Sequence, residues 1–349
     1  MKTDGQSTAA LLNLNLGNIA AAIFAAVVFC AAVFAPAAQA QTFQVIHTFA
    51  NGIDGSIPLA GLTADRAGNL YGTASGGGSI GFLCGSYGCG TAFELKPAGS
   101  GWGLTPLYDF QGITDGQNPE GRMVLASDGA LYGTTVNGGG YDCNYSNCGV
   151  AFRLTSPVSI CKTVICEWNE TVIYRFVGQP YAGNPSGPLV FDRAGNLYGS
   201  ASQGPEGYGV VYELTSSRET WSEIDIAAPG DPNGGVVFGS DGNLYGTNAG
   251  DGYGGIYQLT QSGSFWNLNQ LYSIINVPVD GYLTVGGVIL DDSGNIYGST
   301  VGEGPGGGGT IFELSAGNWS YSVLYGFTGG GGPEESLTMD PTGNLYGTT

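Results

Sequence analysis

The stretch that decides the fold reads DRAGNLYGTAS, from Asp65 to Ser75, and it returns at residues 192–202 with one Thr replaced by Ser. Its centre, a Leu or Ile followed by Tyr, Gly and then Thr or Ser, occurs six times in the chain. The tyrosines of these triplets are Tyr71, Tyr132, Tyr198, Tyr245, Tyr297 and Tyr346. Self-similarity at steps of 47 to 66 residues indicates a chain built from one repeated structural unit.

Each repeat offers four short segments of β type. Strand a is an apolar stretch before an Asp, as in GLTAD, and strand b is Asn-Leu-Tyr-Gly-Thr. Strand c resembles GTAFEL, and strand d is an aromatic segment such as ETVIYRF. No window shows a sustained helical period, and turn residues separate the segments. This pattern predicts an all-β fold, a β-propeller of about six four-stranded blades.

The two ends of the repeat array differ from its middle. A d-type segment, TFQVIHTF (Thr42–Phe49), comes first, and the sequence stops at Thr349, directly after strand b of the sixth unit. We expect five full blades and an incomplete sixth. Pairing of the opening segment with the last blade would close the ring and remove its exposed strand edges; a further repeat beyond Thr349 is the alternative.

The Asp-x-x-Gly of the repeat is interpreted as a hairpin turn between strands a and b. The Asp65 carboxylate can accept from backbone N–H groups two residues on, and Gly68 can adopt the left-handed conformation that ends such a turn. A phosphate-binding loop would need a following helix and a G-x-x-x-x-G-K or G-x-G-x-x-G pattern. The sequence contains neither, so the repeated stretch predicts a structural turn and not a ligand-binding loop.

The N-terminus has the pattern of an export signal. An apolar run, Ile19–Ala35, is followed by Pro36 and by Ala38-Gln39-Ala40, which fits signal-peptidase cleavage before Gln41. Residues 1–40 are therefore predicted to be a signal peptide and residues 41–349 a repeat domain without a membrane span. An uncleaved membrane anchor is the alternative, because the run approaches the length that spans a bilayer.

Six of the seven cysteines lie beyond the predicted signal peptide, in pairs with four residues between the partners. They are Cys84 and Cys89, Cys143 and Cys148, and Cys161 and Cys166. In an exported chain this even number favours disulfides. A zinc site would need closer Cys spacing and usually His, whereas the sole histidine is His47. We expect local pairs, with exchange of partners between the first two pairs as the alternative, and neither metal nor cofactor.

The charge of the chain excludes some classes of partner. The formal net charge is −19, and only nine residues are Lys or Arg. Phosphate backbones and anionic membrane surfaces require clustered cations, so a nucleic-acid partner is not expected. The acidity fits the solubility of a secreted protein, with cation binding as the alternative.

The repeat resembles a known family. Its D-x-x-G-N-L-Y-G-T, Gly-Gly loop, G-x-x-F-x-L and L-Y-x-F motifs, across residues 43–349, are similar to the GloVer (Gloeo/Verruco) tandem-repeat family of exported bacterial β-propeller-like proteins. The resemblance implies an extracellular or cell-surface location. It implies no reaction, because the family has no assigned one.

The loops of the predicted blades separate into two faces. In a meandering blade the b–c and d–a loops share one face, which we call the loop face, and the short a–b and c–d turns share the other, the turn face. Variable loops on a rigid scaffold are where binding usually occurs. Carboxylates and tyrosines there would suit sugar hydroxyls or a cation, with a merely solvated rim as the alternative. The candidate binding rim consists of Asp54, Asp115, Tyr141, Asp142, Asp251, Tyr253, Asp280 and Tyr282.

No catalytic residues are predicted. A Ser-His-Asp triad would depend on His47 without a nucleophile elbow. A sialidase-like site needs several arginines at the inner strands, and only Arg122 holds such a position. We therefore favour a non-enzymatic binding scaffold for carbohydrate or a cell-surface protein. The alternatives are a glycoside hydrolase or polysaccharide lyase using Asp115 and Asp280, and a purely structural repeat.

Overall fold

The computed structural model describes residues 44–81, 84–140, 148–157, 167–217, 220–232, 234–329, 332–333 and 336–348. The chain divides into two compact units, residues 1–45 and 46–349. The first unit, with the predicted signal peptide, lies almost entirely outside the described residues. The repeats form the second.

Five repeats each form one four-stranded blade. The first blade contains β1 (Thr63–Ala64), β2 (Leu70–Ala74), β3 (Thr91–Ala98) and β4 (Gly101–Asp109), and the second β5 (Val124–Leu125), β6 (Leu131–Thr135), β7 (Val150–Thr155) and β8 (Asn169–Arg175). The third contains β10 (Val190–Phe191), β11 (Leu197–Gln203), β12 (Val210–Ser217) and β13 (Thr220–Ala227), with β9 (Gly183–Pro185) paired to β11. The fourth contains β14 (Val236–Phe238), β15 (Leu244–Asn248), β16 (Gly255–Ser262) and β17 (Phe265–Ser273), and the fifth β18 (Ile289–Leu290), β19 (Ile296–Thr300), β20 (Gly307–Ser315) and β21 (Ser320–Thr328).

Each blade is an antiparallel meander in the order a, b, c, d, and the sheets are arranged as a β-propeller. The sixth repeat forms only a hairpin, β22 (Thr338–Met339) with β23 (Leu345–Tyr346). The described structure thus has five four-stranded blades and a two-stranded sixth repeat, so the predicted total of about six four-stranded blades is not reached. Among the described residues, one short helix, α1 (Val277–Asp280), and two 3-10 turns, Pro205–Gly207 and Gly250–Gly252, interrupt the loops.

The opening segment does not behave as the predicted strand. Residues 44–50 form no strand, and the described residues record no backbone hydrogen bond from them to β22 or β23. Instead, Ile46 and Phe49 pack on the first blade, where the rings of Phe49 and Phe93 lie 5.2 Å apart. Side-chain burial against that blade thus takes the place of ladder pairing.

The a–b turns have the predicted geometry. Oδ1 of Asp65 accepts from the N–H groups of Ala67 and Asn69 at 2.8 and 2.9 Å, and Gly68 has a φ of +85°. The same bonds recur at Asp192, Asp291 and Asp340. The repeated Asp and Gly are therefore turn residues, since the carboxylate saturates backbone donors that the tight turn leaves unpaired.

The repeated tyrosine lies between blades. In the first four blades the ring faces a Trp at or just before the start of strand d in the next blade. The centroid separations are 6.3 Å (Tyr71–Trp168), 6.4 Å (Tyr132–Trp221), 5.9 Å (Tyr198–Trp266) and 6.2 Å (Tyr245–Trp319). Most of the core clusters join residues of two consecutive blades. Both faces of a blade are covered, which explains why Leu and Tyr are adjacent in strand b.

The glycine after that tyrosine makes room for strand c. A Cβ placed on Gly72 would lie 2.6 Å from Cζ of Phe93, and one on Gly298 would lie 2.5 Å from Cζ of Phe312. Phe93 and Phe312 are fully buried. The Leu-Tyr-Gly triplet thus encodes one inter-blade contact and one close approach within the blade.

One disulfide joins Cys84 and Cys89 within the b–c loop of the first blade. Cys148 is also disulfide-bonded. Cys143, Cys161 and Cys166 lie outside the described residues, so their predicted pairing stays a prediction.

Candidate functional site

The d–a and b–c loops of each repeat are joined to one another on the loop face. Backbone bridges connect Ser56 with Gly76, Gln117 with Asn137 and Tyr282 with Gly302. In the third blade β9 takes this role by pairing with β11. The loops that carry the predicted rim residues are therefore braced against the blade edges, which gives their side chains defined positions.

Three predicted rim carboxylates accept hydrogen bonds from residues of their own loop and of the preceding strand or segment. Oδ2 of Asp115 accepts from the Tyr108 hydroxyl at 2.9 Å and from the Gln111 N–H at 2.8 Å. Oδ2 of Asp280 accepts likewise from Tyr272 at 2.8 Å and from the N–H of Asn276 at 3.3 Å. Asp115 and Asp280 are both buried. Their carboxylates fasten the start of each d–a loop to strand d.

Asp54 repeats this arrangement with a different partner. Its Oδ2 lies 3.3 Å from Nε2 of His47 and accepts from the N–H of Ala50 at 2.8 Å. Burial opposes ionisation of Asp54, but the hydrogen bonds from Ala50, Gly52 and His47 hold its pKa below the usual value. His47 thus occupies the position that Tyr108 and Tyr272 fill in other repeats.

These contacts also raise the pKa of the tyrosine hydroxyls. Burial, and then the charge of Asp280 and its hydrogen bond, raises the pKa of Tyr272 to about 12. Burial and Asp115 raise the pKa of Tyr108 in the same way. Both phenols therefore stay protonated and act as hydrogen-bond donors at neutral pH.

The remaining rim residues divide into two groups. Tyr141 and Asp142 lie outside the described residues, and Asp251 is placed only by its backbone, in the 3-10 turn Gly250–Gly252. Tyr253 and Tyr282 come together, with their ring centroids 6.3 Å apart at a steep angle. Both are solvent-exposed, at 51% and 37%. The structure thus brings two predicted tyrosines, from different loops, to one place.

A cleft of about 600 Å³ lies beside Tyr253, over the junction of the third and fourth blades. We call it the tyrosine cleft. Tyr208 and Tyr253, 59% and 51% exposed, are its aromatic residues. The cleft is lined by Tyr208, Ala228, Pro229, Gly230, Asp231, Asn248, Gly250, Tyr253, Gly254, Gln270, Ser273, Ile274 and Ile275.

Amide side chains are fixed in the wall of the tyrosine cleft. Nδ2 of Asn248, a buried residue, donates to the carbonyl of Pro229 at 2.5 Å. Nε2 of Gln270 donates to the carbonyl of Tyr272 at 2.8 Å. These bonds orient the amides in advance, so a ligand would meet polar groups in fixed positions.

Sequence reasoning did not single out Asp231, which has a φ of +45°. Ile57, Asn118, Asn184 and Leu283 hold the same position in their d–a loops, also with positive φ. The first three precede Pro, as Asp231 does, and this recurring X-Pro after a loop glycine was the available signal. At this position the Asn118 and Asn184 side chains bind neighbouring backbone carbonyls, at Ser75 and Val136. Asp231 has no side-chain hydrogen bond among the described residues and is exposed to the cleft.

The described residues contain no group of three or more His, Cys, Asp or Glu side chains arranged to hold a metal ion. In the same part of the chain, no helix has the length and apolar character needed to cross a bilayer.

Solved structures similar to this one share its fold. A putative 6-phosphogluconolactonase from Bacteroides uniformis is 14% identical, with a TM-score of 0.52, over 83% of this chain and 77% of that one. A protein from Lactobacillus plantarum is 15% identical, with a TM-score of 0.50, over 82% and 75% of the two chains. At such identity the likeness concerns the fold alone. No curated protein matches the chain.

The match to a family model covers nearly all the repeats. The model of the Gloeobacter/Verrucomicrobia repeat matches residues 26–224 and 185–349, two overlapping stretches that together include every Leu/Ile-Tyr-Gly triplet. The blades, the Asp-x-x-Gly turns and the inter-blade tyrosines are what these matched residues build. The chain belongs to the Gloeobacter/Verrucomicrobia repeat family.

Proposed function

We propose that this protein is an exported, non-enzymatic scaffold that binds a carbohydrate in the tyrosine cleft. The observation that carries the proposal is the exposure of Tyr208 and Tyr253 on a cleft of about 600 Å³. Two exposed aromatic rings on one concave surface, with polar groups beside them, are typical of a ligand-binding groove. Their apolar faces suit the C–H faces of a sugar ring.

The polar groups of the cleft complement this surface. Asn248 and Gln270 supply amides that their hydrogen bonds hold in place, and Asp231 supplies a carboxylate. Sugar hydroxyls both donate and accept, so a mixture of amide and carboxylate recognises them better than a single-charge patch does. Export rests on the predicted signal peptide and fits the Cys84–Cys89 disulfide.

Binding is preferred over hydrolysis or lysis for a structural reason. The candidate catalytic carboxylates, Asp115 and Asp280, are buried and each accepts a tyrosine hydroxyl and a backbone N–H. A general acid or nucleophile must reach the substrate, whereas these carboxylates hold loops in place.

A glycan array with the full-length mature protein tests the proposal. We expect an oligosaccharide to be retained, and we expect Tyr253→Ala to weaken its binding about tenfold in calorimetric titration, since stacking on one aromatic ring is worth about 1 kcal/mol or more. Tyr87→Ala is the matched control, because Tyr87 is 73% exposed but lies in the b–c loop of the first blade.

Three outcomes would overturn the proposal. The array shows no retained glycan, or Tyr253→Ala binds as well as the wild type, or the retained glycan is cleaved and new reducing or unsaturated ends appear. The last result would favour the hydrolase or lyase, and the first a purely structural repeat.

A further inference from the structure

The central channel of the propeller contains two cavities in sequence. The narrow one, about 110 Å³, is lined by residues that precede or begin strand a in all six repeats. The wide one, about 1110 Å³, extends along strands a to the a–b turns, where it reaches Asp65, Arg66 and Ser127. The channel therefore widens from the loop face towards the turn face.

Glycines make the narrow end. A Cβ on Gly121 would lie 2.7 Å from the carbonyl oxygen of Gly187, and one on Gly187 would lie 2.7 Å from Cα of Gly235. A Cβ on Gly234 would lie 2.3 Å from the backbone nitrogen of Gly287. Backbones of neighbouring blades are thus in direct contact here, and side chains are excluded from this ring.

Arg122 is the exception at this level of the channel. Gly61, Pro188, Gly235, Gly287 and Ser336 hold the corresponding positions in the other repeats. The aliphatic part of the Arg122 side chain lies against the first blade, since a Cβ on Gly61 would lie 3.4 Å from Cδ of Arg122. Arg122 lines both cavities and forms no ion pair among the described residues. In a chain of net charge −19 with nine Lys and Arg residues, an arginine at the axis without an ion pair to any described residue is a notable exception.

The walls of the wide cavity are mainly apolar. Leu62, Met123, Val124, Leu189, Val190 and Val236 contribute to them. At the mouth of the cavity, the Asp65 carboxylate already accepts hydrogen bonds from Ala67, Asn69 and Tyr71. Arg66 beside it has no ion pair in the described part of the chain.

We propose that the wide cavity binds a small amphipathic anion, with its acidic group on the Arg122 guanidinium and its apolar body along strands a. Glu120 decides the side of Arg122 on which the anion lies. Glu120 lines only the narrow cavity, whereas Arg122 also lines the wide one. The carboxyl of Glu120 would repel an anion in the narrow cavity, so the open side of the guanidinium is the wide one.

This site differs from the tyrosine cleft in place and in ligand chemistry. The cleft lies on the loop face and offers aromatic rings and amides for sugar hydroxyls. The channel opens on the turn face and offers aliphatic walls and an arginine, which pairs with carboxylate or sulfonate groups. Binding at one site is therefore tested independently of the other.

The experiment uses the full-length mature protein and an aromatic sulfonate dye, 8-anilino-1-naphthalenesulfonate, as the probe. We expect saturable enhancement of its fluorescence, displaced by dodecanoate but not by dodecanol at the same concentration. Arg122→Gln should weaken dodecanoate binding about tenfold, as loss of a charged hydrogen-bond partner typically does. Arg193→Gln is the matched control, because it removes the same charge from a turn residue that does not line the channel.

A second variant tests the apolar part without changing charge. Ala64 lines the wide cavity and is exposed, so Ala64→Trp should fold and should block dodecanoate binding by filling space. The proposal is overturned if Arg122→Gln binds dodecanoate as tightly as the wild type does. It is equally overturned if dodecanol competes as well as dodecanoate, or if Ala64→Trp, with an unchanged circular dichroism spectrum, binds normally.

Discussion

The hydroxyl of Tyr297 donates a hydrogen bond to Oδ2 of Asp291, with the two oxygens 3.2 Å apart. The same bond joins Tyr71 to Asp65, Tyr198 to Asp192 and Tyr346 to Asp340. In the fourth blade Tyr245 reaches Asp241, which comes later in the turn, at 2.8 Å. The turn carboxylate and the inter-blade tyrosine therefore form one unit, which explains why they recur together.

The first prediction concerns this carboxylate. Asp291→Ala removes the acceptor of the Ser293 and Asn295 N–H groups as well as that of Tyr297. We expect the free energy of unfolding to fall by about 2 kcal/mol in urea denaturation, because several donors lose their partner. Asp292→Ala is the control: this neighbour is exposed, and its loss should cost less than about 0.5 kcal/mol. Equal effects of the two substitutions would contradict the role of the turn carboxylate.

The second prediction concerns the contact between blades. Trp266 packs edge-to-face on Tyr198, with centroids 5.9 Å apart, and is half-buried. Trp266→Ala should cost about 2 kcal/mol, less than the 3–5 kcal/mol typical of a fully buried Trp. The adjacent Phe265 is 76% exposed, so Phe265→Ala should leave the unfolding midpoint nearly unchanged. A small effect of Trp266→Ala would mean that the blades are held mainly by their other contacts.

The third prediction concerns two strand-d glutamates that face the preceding blade. Burial, followed by the charge of Asp115, raises the pKa of Glu170 to about 7. Burial and the hydrogen bond with Asp225 raise the pKa of Glu223, whose Oε2 accepts from Tyr174 of the second blade at 3.3 Å. In the unfolded chain both would titrate at about 4.3.

The sign of the pH effect follows from proton binding. Between about pH 4.3 and about pH 7 the folded state holds the Glu170 proton that the unfolded state has lost, so stability falls as pH rises through this range. Thermal melts should show this fall, and Glu170→Gln or Glu223→Gln should reduce it. Glu167→Gln, at an exposed neighbour, should leave the slope unchanged. A slope unaffected by the first two variants would show that other groups cause it.

Much of the architecture could be predicted from sequence because it depends on local patterns. The Asp-x-x-Gly turn is held by hydrogen bonds between residues two to four apart. The Leu/Ile-Tyr-Gly segment of strand b is largely buried on both faces in the five complete blades. The repetition of both, at steps long enough for four short strands, was sufficient to predict a β-propeller. The pairing of the opening segment was not predicted correctly, since a strand at the end of the array needs a partner that local sequence does not specify.

The candidate site could be predicted only in part. Loop position put Tyr253 and Tyr282 among the candidate rim residues, because a meander fixes which loops share a face; that their rings lie 6.3 Å apart is visible only in the structure. It could not show that Asp115 and Asp280 turn inward to Tyr108 and Tyr272, since either orientation suits a loop carboxylate. Asp231 escaped notice because the conformation that exposes it is set by the whole loop.

By itself, then, the sequence determined the repeat, the turns, the inter-blade tyrosines and the family, all of which follow from short-range patterns. Only the tertiary structure decided what long-range packing controls. It placed Tyr208, Asp231 and Tyr253 around one cleft. It also put Arg122, which has no ion pair among the described residues, where glycines narrow the central channel. The physical reason is that a turn is stabilised by its own residues, whereas a cleft or a channel exists only between elements distant in sequence.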